Sequence, residues 1–477
     1  MTPEKRERIM TYLQEQLAQG EFRVKAYVLN ERNEKNPQRN CFVKLSMYIQ
    51  NYLKGNASVR WLVIPGFRGV GKTTLLAQLY YAINNPNVHK LFLSVDEMVQ
   101  ILGVSLADVL RVYEEILGSV FERLDKPVLL FLDEVHYDPK WAITLKTIYD
   151  RSRMIFMITT GSSALTIQQN SDVVRRAFTE KLYPMSFTEY MKIKYGKFED
   201  PGLSSLIRTA IYDSQDASEV IQKLQPLESR VRKYWLDIDR LEIERYMRYG
   251  TLPFTVHLQN EGLAYDQIKK IIDRIVGMDV MQLGRFASEV TARIPEILYI
   301  ISASEVVSIT NMVKDLGLSR NTLADVLDVL EKTELLVRVY PYGAHGSQVK
   351  KPSKYLFASP AFRSMYYNLI GNTINKKDYI GKLFEDTVGL YLRKYAINKH
   401  GSLTYDTAQE GADFIVHFIN DNIILEAGYG QNKGIRQLQK TAERVSAKYG
   451  LIISLQPLAL GDDNQSIFVP ASYFLLS

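Results

Sequence analysis

Gly66-Phe67-Arg68-Gly69-Val70-Gly71-Lys72-Thr73 places three glycines, a lysine and a hydroxyl within eight consecutive residues, in the spacing G-x-x-x-x-G-K-[ST]. A triphosphate carries several negative charges. Backbone N–H groups at a helix N-terminus can surround it only where glycines let the chain come close. Lys72 would reach the β- and γ-phosphates as a point charge, and Thr73 would offer its hydroxyl to Mg²⁺. Gly66 to Thr73, with Thr74, are therefore the expected nucleotide-binding residues. An apolar run, WLVI, enters this loop, and an amphipathic stretch, TTLLAQLYYAI, leaves it.

A second set of groups lies sixty residues on. Val128-Leu-Leu-Phe-Leu is followed by Asp133 and Glu134. Five apolar residues make a buried central strand, and its carboxyl end is where open α/β sheets bind ligands. Asp133 is expected to join Thr73 around Mg²⁺, and Glu134 to act as the general base that orients water. Ile158-Thr-Thr-Gly-Ser-Ser163 ends the next strand in hydroxyls. Thr160 is placed to meet the γ-phosphate or the lytic water, with Ser162 as the alternative; helix capping is a competing use for such residues. Arg175 and Arg176 precede a fifth strand. Arg176 suits delivery to a neighbouring subunit's ATP in a homo-oligomer, although two surface arginines would look the same.

Positioning these groups takes a parallel sheet. Trp61–Ile64, Leu91–Val95, Val128–Leu132, Met154–Thr159 and Phe178–Tyr183 read as strands. Thr73–Asn84, Leu106–Asp125 and Trp141–Arg153 read as the helices between them. The strand between the two motifs, and a glutamate directly after the aspartate, favour the ATP-hydrolysing branch of P-loop folds. Residues 1–57 read as a polar helical extension broken at Leu29–Asn40, 201–261 as charge-laced helices, 262–360 as helices ending in a hairpin, and 361–477 as a last α/β unit.

Composition sets outer bounds. The 477 residues are 46% hydrophobic and 23% charged, enough to build several cores without staples. A single cysteine, Cys41, excludes an internal disulfide framework and a Cys-rich zinc site, and the six histidines show no ligand spacing. The opening MTPEKRERIM lacks the apolar stretch of a secretory signal, and no apolar run approaches a membrane span, so a cytoplasmic protein is expected. The net charge is +6, and residues 1–60 hold eleven Lys/Arg against six Glu. That permits nucleic-acid contact, while a solvated helix has the same composition.

GFRGVGKTTLLAQL, LDEVHYDPKWAITLKTIYD, ITTGSSAL and KLYPMSFTEYM together resemble a family of prokaryotic AAA-type P-loop ATPases. In that family a winged helix and a restriction-endonuclease-like (PD-(D/E)xK) tail of unknown function follow the ATPase module. RYMRYGTLP, IIDRIVGMDV, SKYLFASPAFR and GKLFEDTVGLYL match in the same order, so the resemblance covers roughly 58–430. It implies an α/β core at 58–200, a helical lid at 201–261, a winged helix at 262–360 and the nuclease-like domain at 361–477. It also implies Gly250 and Pro253 near the adenine.

Within the expected winged helix, Arg320 and Asn321 open the second helix, but Asp325, Asp328 and Glu331 follow and would repel phosphates. The hairpin carries Arg338, His345, Lys350, Lys351 and Lys354, a set able to touch a nucleic-acid backbone. In the tail, Asp413 and Glu426 flank a hairpin compatible with the metal carboxylates of restriction-type nucleases. Glu385 resembles the acid that often completes the metal shell. The lysine due two positions after Glu426 is Gly428, with Lys433 or Gln431 as possible substitutes, which points to a degenerate site. Lys433, Arg436, Lys440, Arg444 and Lys448 recur at helical spacing opposite Ile435, Leu438, Ala442 and Val445, a candidate phosphate track or a solvated face. The expected function is an ATPase coupling MgATP turnover to domain movement on nucleic acid. The alternatives are a slow nucleotide-dependent assembly switch without DNA and an ATP-controlled Mg²⁺ nuclease.

Overall fold

The computed structural model describes residues 1–477 apart from 57, 162–172, 174, 259, 305, 345, 347, 349–350, 371–375, 399–400 and 430–434. The chain divides into two compact units, Met1–Tyr183 and Pro184–Ser477.

The first unit is built on five parallel strands, β1 (Trp61–Pro65), β2 (His89–Ser94), β3 (Val128–Asp133), β4 (Ile155–Gly161) and β5 (Phe178–Thr179), in the order β2-β3-β4-β1-β5. Every residue of β1, β3 and β4 is buried, as continuous apolar runs demand of central parallel strands. β5 pairs with β1 over only two residues, although Glu180 and Leu182 continue to donate backbone bonds to Val63 and Pro65. Helices α1 (Pro3–Val28), α2 (Cys41–Leu53), α3 (Lys72–Tyr81), α4 (Val95–Leu102), α5 (Leu106–Leu117) and α6 (Trp141–Arg151) surround the sheet.

α1 starts where the Thr2 hydroxyl caps the Lys5 N–H. It buries Ile9, Tyr12, Leu13, Gln16, Gly20, Val24 and Val28, a face that recurs every turn, and packs on α3, β2 and α5. Much of the basic charge near the N-terminus is met inside the unit. Lys5 pairs with Asp108, Arg6 with Glu115 and Lys44 with Glu180, while Arg60 donates to the carbonyls of Ser152 and Tyr149.

The second unit opens with helices. The first of them, Phe187–Tyr195, is held by a full Ser186/Glu189 capping box. A nine-stranded sheet follows: β6 (Val306–Val307), β7 (Leu336–Pro341), β8 (Ser353–Phe357), β9 (Ser402–Tyr405), β10 (Phe414–His417), β11 (Asn422–Gly428), β12 (Ala447–Ser454), β13 (Ala459–Leu460) and β14 (Ser466–Pro470), in the order β13-β14-β12-β11-β10-β9-β7-β8-β6. The hairpin expected to belong to a winged helix is thus inside this sheet: β7 pairs in parallel with β9 at Tyr340–Thr404 and Pro341–Tyr405. One apolar core takes side chains from Met185 to Leu476, including lid residues Ile207, Val220 and Tyr246 and tail residues Phe414, Leu451 and Phe474.

The basic stripe does not form one helical face. The helix there is only Arg436–Ala442, and Lys448 lies on β12, where Gly450-Leu-Ile-Ile453 is drawn into parallel pairing with β11 and β14. Leu438 and Val445 are buried as expected. No helix of the described residues is long and apolar enough to cross a membrane.

Candidate nucleotide-binding site

The loop between β1 and α3 takes its shape from glycine. Gly69 and Gly71 have φ of 92° and 95°, a region closed to most side chains. α3 begins at Lys72, so its first N–H groups, which have no intrahelical partner, border the loop. Phe67 and Val70 are buried, and Arg68 Nη2 donates to the Tyr137 hydroxyl at 3.1 Å.

The loop and the end of β3 meet directly. Thr73 Oγ1 donates to Asp133 Oδ2 at 2.7 Å. Lys72 Nζ lies 3.4 Å from Glu134 Oε1 and 3.4 Å from the Phe67 carbonyl. Thr160, at the end of β4, is fully buried and ties the two acids together. Its hydroxyl donates to Asp133 Oδ1 and accepts the Glu134 N–H at 2.9 Å. The sequence placed Thr160 against the γ-phosphate or water; in the structure its hydroxyl meets the Asp133 carboxylate and the Glu134 backbone N–H.

Glu134 sits in the left-handed region, with φ of 52°. A non-glycine residue there costs backbone energy, which is a recurring feature of functional sites. Burial pushes its carboxyl up, but the charges of Lys72, His136 and Arg68 outweigh burial and hold it below the usual range. Burial first, and the Glu134 charge second, push Asp133 up to about 6. His136 Nδ1 lies 3.3 Å from Glu134 Oε2, and burial lowers its imidazole despite the neighbouring carboxylate.

Sequence reasoning missed two of these neighbours. His136 is one; the other is Arg39, read as part of a polar loop. The guanidinium of Arg39 is buried and donates to the Val70 carbonyl of the phosphate loop at 2.8 Å and to the Tyr183 carbonyl at 2.7 Å. Nothing local marks it, because both acceptors are backbone groups distant in sequence. The donor set suits a magnesium triphosphate: glycine-opened N–H groups, a lysine, and a hydroxyl and carboxylate already side by side.

Comparison with known proteins places this geometry in a family. A model described as an AAA domain (AAA_14) matches residues 58–191, and a domain of unknown function (DUF8612) matches 240–371. The protein MJ1637 of Methanocaldococcus jannaschii, described as uncharacterized, is 32% identical over 439 residues, covering 91% of this chain and 87% of the relative. The chain belongs to the MJ1637 family. Its first unit carries an AAA-type P-loop ATPase domain. Among solved structures, the Walker-type ATPase PABY2304 of Pyrococcus abyssi is 14% identical with a TM-score of 0.37, over 70% of this chain and 98% of that one. The Aeropyrum pernix ORC1 protein, solved in complex with DNA, is 13% identical with a TM-score of 0.32, over 72% and 96%. At these scores neither likeness carries weight for function.

Other expected residues of this MJ1637-family chain have surroundings of their own. Arg176 forms a bidentate pair with Asp150 at 2.9 Å, so delivery to another subunit would require leaving it. Gly250 and Pro253 belong to the second unit, where a Cβ on Gly250 would lie 2.6 Å from the Tyr190 ring. An N-K-x-D string, the kind that reads guanine, begins at Asn375 outside the described residues and runs into the helix Lys376–Asn398 of the second unit. It does not follow a strand of the P-loop sheet.

One of the hairpin cations is buried in an ion pair. Lys354 is 4% exposed and pairs with Glu385 and Asp413, which removes it from the surface where phosphate contact was expected. Arg338 donates to Ser353 and Lys351 to Thr407; His345 and Lys350 lie outside the described residues. In the former stripe, Lys440 pairs with Glu410, Arg444 with Asp406 and Lys448 with Asp421. Lys433 and Gln431 lie outside the described residues.

Proposed function

We propose that the first unit binds MgATP and hydrolyses it, and that turnover drives rearrangement of the rest of the chain. The observation that carries this reading is the 2.7 Å contact of Thr73 with Asp133, with Lys72 beside Glu134, which brings both halves of a P-loop site together. Thr73 and Asp133 would hold Mg²⁺, which supplies positive charge at the β- and γ-phosphates. Lys72 and the N–H groups from Gly69 to Thr73 bind and orient the phosphates. Glu134 orients the attacking water and accepts its proton at a carboxylate oxygen.

Steady-state hydrolysis with Lys72→Ala and Glu134→Gln tests the assignment. The first variant is expected to lose nucleotide affinity. The second is expected to keep affinity while kcat falls by at least ~100-fold, the usual worth of a general base. Turnover surviving either change at wild-type level defeats the proposal.

A second reading, a slow nucleotide-dependent switch working without DNA, has its own support. Lys72 faces Glu134, Lys354 is buried in an ion pair, and Lys440, Arg444 and Lys448 each have an acidic neighbour within the chain. Strong stimulation of hydrolysis by duplex DNA selects nucleic-acid coupling. Trapped nucleotide, no stimulation and a nucleotide-dependent change in size-exclusion volume select the switch, in which assembly of several copies is the output.

A further inference from the structure

The tail lacks the lysine that its carboxylate pattern calls for: β11 ends in Gly428. A lysine is present all the same, 59 residues before Asp413 in sequence. β8 carries Lys354 to the start of β10, where its ammonium pairs with Glu385, lies 3.2 Å from Asp413 Oδ1 and donates to the Asp413 carbonyl at 3.4 Å. The Phe414 ring lies 4.9 Å beneath it.

The carboxylates do not fit a divalent metal as they stand. Mg²⁺ needs several oxygens converging at about 2.1 Å in an octahedron, most of them unshared with other donors. Here Asp413 Oδ1 faces Lys354 and Oδ2 accepts the Ala427 N–H at 3.0 Å. Glu426, 1% exposed, uses Oε2 to accept the Asp413 N–H at 3.1 Å, and Glu385 faces Lys354. Among the described residues no three His, Cys, Asp or Glu side chains are grouped to hold a metal. A scissile phosphate would also need access to water-filled space, and Lys354 and Glu426 are both closed off.

We propose that Lys354 stands in the place of the divalent cation, so that the tail carries a metal-independent ion-pair centre of Glu385, Asp413 and Lys354 rather than a phosphodiester-hydrolysing site. One ammonium is shared here by Glu385 and Asp413, while Asp386, one residue beyond Glu385, has Arg363 to itself. The lysine arrives on the hairpin expected to be a wing, so the centre fastens β8 to the helix Lys376–Asn398, which carries Glu385, and to Asp413, the residue just before β10.

Mn²⁺ binding to the full-length, nucleotide-free protein, read by loss of the free-ion EPR signal, tests this apart from ATPase activity. Wild type and Asp413→Asn should bind the same number of ions, since any ion held at Thr73 and Asp133 is common to both. Lys354→Ala should bind one more, and Lys354→Ala with Asp413→Asn should lose it again. Supercoiled plasmid with Mg²⁺ or Mn²⁺, with and without ATP, should stay intact. An ion bound by wild type and lost in Asp413→Asn overturns the proposal, as does plasmid cleavage abolished by Asp413→Ala. A folded Lys354→Ala that gains no ion overturns it too. Should that variant not fold, the wild-type, Asp413→Asn and plasmid comparisons still decide. All of these outcomes are independent of whether Lys72 and Glu134 hydrolyse ATP.

Discussion

Asp133 is held by two hydroxyls yet stripped of water, and the balance goes against its charge. With the carboxyl at about 6 in the folded chain and about 3.9 unfolded, the folded state binds the proton more tightly. Its ionisation therefore costs nothing below about pH 4, costs progressively more as pH rises, and costs most above about 6. Asp133→Asn should raise the melting temperature of nucleotide-free protein at pH 7.5 and lose that advantage toward pH 4. An equal gain at both values would show that charge is not the cause. Thr160 gives a second test. Removing its hydroxyl leaves the Glu134 N–H without its acceptor and Asp133 Oδ1 without its donor. Thr160→Val should cost about 1–3 kcal/mol in urea unfolding and lower kcat, while Thr160→Ser keeps both. The phosphate loop was legible in the sequence because all its chemistry falls within eight residues. Thr160 was legible as a polar strand end, but whether its hydroxyl met phosphate or carboxylate depended on the register of β4 against β3. Lys354 was visible only as one more basic residue, because the carboxylates that bury it are brought there by the fold.

At the level of elements, the segment joining α1 and α2 matters more than its polarity suggests. Arg39 clamps the Val70 and Tyr183 carbonyls, and Gln78 of α3 donates to the Asn36 carbonyl nearby. The clamp fixes the phosphate loop from behind. A guanidinium spans two acceptors, and an ammonium on a flexible stem does not hold both in one geometry. Arg39→Ala and Arg39→Lys should therefore both weaken ATP affinity, by roughly tenfold if one charge-assisted bond's worth of about 1.5 kcal/mol is lost from the bound-state loop. Isothermal titration checks this, and an unchanged affinity in Arg39→Lys would mean that only charge matters. Strands β1 to β4 were legible because continuous apolar runs bounded by turn residues have few other uses. The run after Asn432 misled for the opposite reason. Its 3.6-residue spacing continued through Lys448, but the pull of β11 on Gly450-Leu-Ile-Ile453 ended the helix at Ala442. Periodicity reports a local preference, and sheet pairing overrode it.

On the scale of the whole molecule, one apolar core draws side chains from Met185–Val256, Val337–Ala358 and Ile380–Leu476, so segments on either side of the divisions expected at 201, 262 and 361 share it. Polar ties cross the divisions at 262 and 361. Trp235 Nε1 donates to the Ser472 carbonyl at 2.9 Å, the Tyr449 hydroxyl to the Ile211 carbonyl at 2.8 Å, and the Tyr395 hydroxyl to Asp213 at 2.7 Å. The β7–β9 pairing adds backbone bonds across the last of them. A fragment cut at 361 would expose the core side of its sheet, leave β9 with an open edge and strip Glu385 and Asp413 of Lys354. Such an edge with a buried, uncompensated carboxylate pair favours aggregation over folding. Fragment 184–477 should therefore unfold in urea as one cooperative transition, with fluorescence and circular dichroism coinciding. Fragment 361–477 should show no such transition and a poorly dispersed NMR spectrum. If 361–477 folds alone with a sharp transition, the unit is two domains in contact. The ion-pair centre at Lys354 would then be an interface between them instead of part of one core.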